Sequence, residues 1–233
     1  MGEAGGSDGA VYVRGTDGAA AVRLDSGRAL DLSGDGKWVL ALSASAQELR
    51  LLPVGVGTVQ AVRGTVDRYE DAQLLDDGRV VSVAMERGYN PRVYVQRPSE
   101  APRPISPEGL VARPVISPDG RRAVVRIDRK PLMLSTDGAA PEPFTLVGPG
   151  EGVASWSADG QSLFVVEHNA GVSVVVSRMN LATGTRTPWK TLAPGDRAGL
   201  LRTQNVRISA DGTSYAYSYE RMLGELFVVD GLR

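Results

Sequence analysis

A short signature built on Asp-Gly recurs five times along the 233 residues and constrains the fold more than any other feature. The copies are Ser33-Gly34-Asp35-Gly36-Lys37, Leu75-Asp76-Asp77-Gly78-Arg79, Ser117-Pro118-Asp119-Gly120-Arg121, Ser157-Ala158-Asp159-Gly160-Gln161 and Ser209-Ala210-Asp211-Gly212-Thr213. Their glycines fall at 36, 78, 120, 160 and 212, so the intervals are 42, 42, 40 and 52 residues. A fixed period of this size marks stacked supersecondary units, none of which can bury its apolar face alone. Asp-Gly between two β-prone runs supplies the positive φ angles of a tight hairpin.

Each signature is followed by an apolar run: Trp38 to Leu42, Val80 to Ala84, Ala123 to Val125, Leu163 to Val166, and Tyr215 to Tyr217. A second run follows at Leu49 to Leu52, Val93 to Val95, Leu132 to Leu134, Val172 to Val176 and Leu226 to Val229. In the first run both alternating faces are apolar, as expected of a strand covered on both sides. Four strands in about 40–45 residues is the arithmetic of a propeller blade. The expected fold is therefore all-β, a β-propeller of four-stranded antiparallel blades with about five blades present. Residues 1–233 read as one domain, with repeats at roughly 1–32 (partial), 33–66, 67–109, 110–150, 151–193 and 202–233 (partial). The stretch Pro194 to Leu201 reads as a short helical insertion that lengthens the last interval.

The ends enter and leave mid-blade. Residues 11–24 read as the last two strands of a blade, and residues 205–233 as the first three of another. Together they exceed one blade by a strand. Either a five-bladed ring closes by sharing them, or the chain is part of a six- or seven-bladed ring; the second is the expectation taken forward, since an open ring exposes strand edges.

Composition removes several function classes. There are 26 basic and 27 acidic side chains for a net charge of −1, with no like-charge run, so no nucleic-acid groove or anionic-membrane patch is expected. The chain has no cysteine and one histidine, which leaves no cysteine-based site and little for a histidine-based metal centre. No metal or cofactor is expected. No stretch approaches the roughly 20 apolar residues of a membrane span, so no membrane insertion by this chain is expected. Residues 1–10 lack a basic n-region and an apolar h-region, so no signal peptide is expected and the compartment stays open.

Ser-Pro-Asp-Gly-Arg at 117–121 and its degenerate copies resemble the WD40-like (PD40) repeat of TolB-type propellers, over nearly the whole chain. A second resemblance lies in Ser209 to Tyr219 and Gly224 to Leu232, together with Leu181-Ala182-Thr183-Gly184-Thr185-Arg186 and Trp189. These segments resemble the C-terminal propeller of bacterial Ser/Thr protein kinases of the acidobacterial type. That resemblance implies a sensor or interaction module behind a kinase domain and a membrane span, hence an extracytoplasmic location. No Gly-rich loop, Val-Ala-Ile-Lys strand, His-Arg-Asp loop or Asp-Phe-Gly occurs in this sequence, so no catalytic residue carries over.

Most local motifs reduce to scaffold. Asp31 to Gly36 opens like a calcium loop, but its twelfth position is Leu42 where a bidentate Glu is required. Gly55 to Gln60 and Gly148 to Gly152 lack the remaining elements of a dinucleotide or phosphate loop and read as turns. Tyr215, Tyr217 and Tyr219 alternate on one strand face and are expected to pack against the adjacent blade. The lone His168 reads as a solvated residue in a loop, with no nucleophile beside it.

One constellation survives. Eight residues beyond a turn glycine stand Glu86, Asp128 and Glu220, followed by Arg87, Arg129 and Arg221; the fourth repeat offers Glu167 and His168 one step earlier. With Arg68, Tyr69 and Arg113 from neighbouring loops, they are expected to form a ring of paired acid and base on the face opposite the Asp-Gly turns, also reached by Glu70 and Asp71. Such loop faces are where propellers commonly bind. The expected function is a non-catalytic binding or sensor module for a protein or small-ligand partner, within a larger signalling protein. The alternatives are the gating propeller of a prolyl-oligopeptidase-like peptidase and a free-standing TolB-like envelope adaptor.

Overall fold

The computed structural model describes residues 9–168 and 172–224. Among them every regular element is a strand. In chain order these are β1 (Ala10–Val13), β2 (Val22–Ser26), β3 (Arg28–Leu32), β4 (Trp38–Leu42), β5 (Leu49–Pro53), β6 (Gln60–Val62), β7 (Arg68–Leu74), β8 (Val80–Met85), β9 (Arg92–Gln96) and β10 (Arg103–Pro104). They continue with β11 (Val115–Ile116), β12 (Arg122–Ile127), β13 (Lys130–Ser135), β14 (Glu142–Pro143), β15 (Glu151–Trp156), β16 (Ser162–His168), β17 (Val174–Asn180), β18 (Arg186–Leu192), β19 (Leu200–Ile208) and β20 (Tyr215–Arg221). Two compact units divide them: Met1–Pro114 with Gly120–Phe144, and Val115–Asp119 with Thr145–Arg233.

In the first unit, β3-β4-β5-β6 and β7-β8-β9-β10 are four-stranded sheets in sequence order, and β1 pairs with β2. The strands β12, β13 and β14 meander in the same way. In the second, β15-β16-β17-β18 is a four-stranded sheet and β19 pairs with β20. All of these pairs are antiparallel, the meander of the expected four-stranded blades. The third strand expected at Leu226 to Val229 lies outside the described residues.

The strand after each of the first four turns is a core strand, as its two apolar faces predict, whereas β20, after the fifth, is mostly exposed. Val39 to Leu42 and Val80 to Ala84 are buried without a break. In the first unit Leu40, Leu49, Tyr69, Val80 and Tyr94 form one apolar cluster. In the second, Phe164, Val166, Val176, Leu192 and Ile208 do the same.

The turn itself differs from the two-residue hairpin that Asp-Gly predicts. Only its glycine takes a positive φ, +70° at Gly36 and +64° at Gly160, while the aspartate before it does not. The Gly36 N–H donates to the Ser33 carbonyl at 2.8 Å, and the Ser33 N–H to the Trp38 carbonyl at 2.8 Å. The loop is thus a β-turn with a left-handed glycine at its end. Inside it the Ser33 hydroxyl donates to Asp35 Oδ1 at 2.7 Å and accepts from the Trp38 N–H at 2.9 Å. Serine, aspartate and glycine each have a separate task there.

Two further expectations are corrected. Pro194 to Leu201 is not helical: it is an irregular segment that enters β19 at Leu200. Pro194, Gly195 and Gly199 oppose a helix, and the Asp196 carboxylate caps the Ala198 N–H at 2.9 Å. His168 does not stand in a loop either, since it closes β16 and pairs with Val174. Of the three tyrosines, Tyr217 packs against the Phe164 cluster, whereas Tyr215 and Tyr219 are exposed.

Candidate functional site

In the first unit, the structure gathers several predicted residues at the loop ends of β7 and β8, where Arg68 pairs with Met85 across the sheet. Glu86 and Arg87 do not pair with each other. Glu86 Oε1 accepts from the Tyr94 hydroxyl at 2.8 Å and from Arg92 at 3.0 Å. Those two hydrogen bonds, the tyrosine's first, hold its carboxyl below the usual range. The Arg87 N–H donates to Asp67 Oδ2 at 2.6 Å, which leaves the exposed Arg87 side chain at the edge. Arg68 is exposed beside it, and neither guanidinium forms an ion pair among the described residues.

Tyr69 does not belong to such a surface. It is 1% exposed, and its side chain joins the core. Its hydroxyl has no hydrogen-bond partner among the described residues, and burial pushes its pKa up to about 12. Alternation explains the placement: Arg68 faces out, so Tyr69 faces in. Arg113 Nε pairs with Asp71 Oδ2 at 2.7 Å. Asp128 and Arg129 form the two-residue turn between β12 and β13, both left-handed at φ +47° and +65°. This is the primed hairpin geometry, here without glycine.

In the second unit Glu167 is exposed near the end of β16, directly across from Glu151 of β15. Two carboxylates in register repel, and Arg186 of β18 answers them. It holds Glu151 through both oxygens, and that bond, ahead of the Glu167 charge, raises its own pKa. Glu220 pairs with Arg202 at 2.6 Å, and Arg221 with Asp196 at 2.8 Å. The side chain of His168 lies outside what is described. Glu86 and Glu220 are thus each held by a cation on a neighbouring strand and not by the adjacent arginine, because successive residues of a strand point to opposite faces, whereas Glu151 of β15 is held by Arg186 of β18, the other outer strand of its sheet. The repeat does not point to Arg92, Arg186 or Arg202, because cross-strand register is not written in it.

At the other end of the first unit, on the turn side, a cleft of about 630 Å³ opens along β3–β6 and β7–β10. Its walls include Trp38, Leu51, Leu74 and Pro98, with Asp35 and Asp76 at the rim. A Cβ on Gly34 would stand 2.6 Å from Asp76 Oδ1, so the bare glycine is what lets that carboxylate settle there. Asp35 is ionised, its pKa lowered first by the Ser33 hydroxyl and then by the Lys37 N–H. Among the described residues no three His, Cys, Asp or Glu side chains converge in a way that would hold a metal ion. Among them, too, no helix is long and apolar enough to cross a membrane.

These sheets, meandering in sequence order and repeating along the chain, define a β-propeller. Solved structures of the same fold include TolB from Acinetobacter baumannii, at a TM-score of 0.62 and 16% identity over 91% of this chain and 60% of that one. An oligogalacturonate lyase in complex with manganese matches at 0.65 and 15% identity, over 88% of this chain and 63% of the other. A periplasmic gluconolactonase from Pseudomonas aeruginosa matches at 0.58 and 18% identity, over 93% and 73%. The chain thus spans less than two thirds of the TolB and lyase chains. No protein-family model matches the sequence, and neither does any curated protein.

Proposed function

We propose that this chain is a non-catalytic binding module, a TolB-like propeller unit of a larger signalling protein that docks a partner by charge. The observation carrying this reading is the pair of exposed guanidinium groups, Arg68 and Arg87, both at the β7–β8 loop end without a carboxylate partner among the described residues. In a chain of net charge −1, two neighbouring unpaired cations suit an acidic surface. The carboxylates of Glu86 and Asp196 both have lowered pKa values, which suits charge recognition better than proton transfer near neutral pH.

The test is capture by the immobilised protein, comparing wild type with the Arg68→Glu, Arg87→Glu double variant. A partner retained by the wild type should be lost by the variant, with an unchanged thermal midpoint, and its binding should weaken with salt. Retention by both proteins would remove the loop face from the reading. Fold neighbours include enzymes, so oligogalacturonate with manganese and gluconolactone are also offered as substrates; turnover by the purified chain would overturn the non-catalytic reading.

A further inference from the structure

The repeats act as internal controls for one another. At the first position of the signature four copies have serine and one has Leu75; at the second, Gly34, Pro118, Ala158 and Ala210 stand where the second copy has Asp76. Two residues after the turn glycine, Val80, Arg122, Ser162 and Ser214 stand where the first copy has Trp38. Leu75, Asp76 and Trp38 are therefore departures that the turn does not require. The turn at Leu75 still closes, with Gly78 N–H to Leu75 O at 2.9 Å, and Arg79 takes over the hold on Asp77 at 2.7 Å. All three departures line the same cleft of about 630 Å³ at the turn end of the first unit.

The chemistry of that cleft is one-sided. Trp38 is half-buried and its indole N–H has no partner among the described residues. The exposed Asp76 carboxylate forms no ion pair among them either. Leu51, Leu74 and Pro98 complete an apolar wall. An aromatic face beside an unpaired carboxylate suits a planar cation, which stacks on the ring and pairs through its edge. A guanidinium meets both demands at once, whereas an ammonium is more strongly hydrated and has no plane to stack.

We propose that this cleft is a binding site for an arginine side chain of a partner polypeptide, stacked on Trp38 and paired with Asp76. The Asp35 charge adds to the attraction, although its own near cation, Lys37 at 3.2 Å, is an exposed competitor. The site lies at the opposite end of β8 from Arg68 and Arg87 and stands independently of the loop-face reading.

The experiment titrates the full chain with acetyl-Gly-Arg-Gly amide and with its citrulline counterpart, which has nearly the same shape and no charge. The signal is the indole N–H resonance of Trp38, assigned by its loss in Trp38→Phe. The arginine peptide should shift that resonance saturably, and the citrulline peptide should bind at least about tenfold more weakly. Asp76→Asn should weaken the arginine peptide by a similar factor, and Gly34→Ala should do so by displacing the Asp76 carboxylate. Both of these positions are at the surface, so these variants keep the test decisive even if Trp38→Phe unfolds. Equal binding of the two peptides, unchanged affinity in Asp76→Asn, or no saturable shift would overturn the proposal. Binding of a neutral oligosaccharide in preference to the arginine peptide would overturn it too.

Discussion

A buried hydroxyl without a hydrogen bond costs about 1–3 kcal/mol, and Tyr69 carries one beside a tyrosine of opposite character. Tyr94 is as deeply buried, yet its hydroxyl donates to the Glu86 carboxylate at 2.8 Å. The two rings share a cluster and differ in whether the polar end is satisfied. Tyr69→Phe should therefore leave stability unchanged or raise it by roughly 1 kcal/mol, while Tyr94→Phe should lower it by about 1.5–3 kcal/mol, the range for bonds to charged groups. Denaturant unfolding of the two variants measures the contrast. At this scale the repeat locates Glu86, through its distance from the glycine. It does not show that Glu86 is tied to the core, because its partners come from β9. Charge reversal at Glu86 would consequently disturb the fold, and Arg68 and Arg87 are the better probes of the loop face.

The turn is the element that the sequence marks most clearly and that physical detail corrects. A serine at its first position explains more than Asp-Gly alone, since its hydroxyl holds Asp35, Asp159 and Asp211 in turn. That hydroxyl is the leading cause of a lowered pKa in each of these three aspartates. At Asp77 burial acts the other way and is outweighed by the Arg79 backbone and side-chain bonds. A carboxylate with a lower pKa folded than unfolded stabilises fully above its unfolded value, near about 3.9. That contribution is lost as pH falls through the folded value, because the unfolded chain takes up the proton first. The unfolding free energy should thus be flat above about pH 5 as far as these groups go and fall below about pH 4. Asp211→Asn should flatten that acid slope, as read from midpoints across a pH series; an unchanged slope would deny the turn its electrostatic part. The segment from Pro194 to Gly199 adds a different limit, since a length anomaly in a repeat reports an insertion without reporting its conformation.

For the whole molecule, a net charge of −1 and a sequence pI near 5.9 leave little electrostatic repulsion between copies. Solubility should pass through a minimum close to pH 6 and recover on either side, with turbidity as the measure. The all-β class, the order of strands within the four-stranded sheets and the apolar core strand of the first four repeats are legible in the chain alone, because a repeat period of about 42 residues and an apolar run are local properties. The position of the turn in every copy is legible there too, though not its type. Which charges meet is settled by packing instead. Pairs such as Glu86 with Arg92 and Glu220 with Arg202 depend on strand register, and register is set by the packing of both faces at once. The same holds for Trp38 and Asp76, 38 residues apart in the chain, which line one cleft because two neighbouring sheets bring their turns together. The Asp-Gly repeat is a local code for blades, and the residues that depart from it acquire their meaning from neighbours that no single repeat contains.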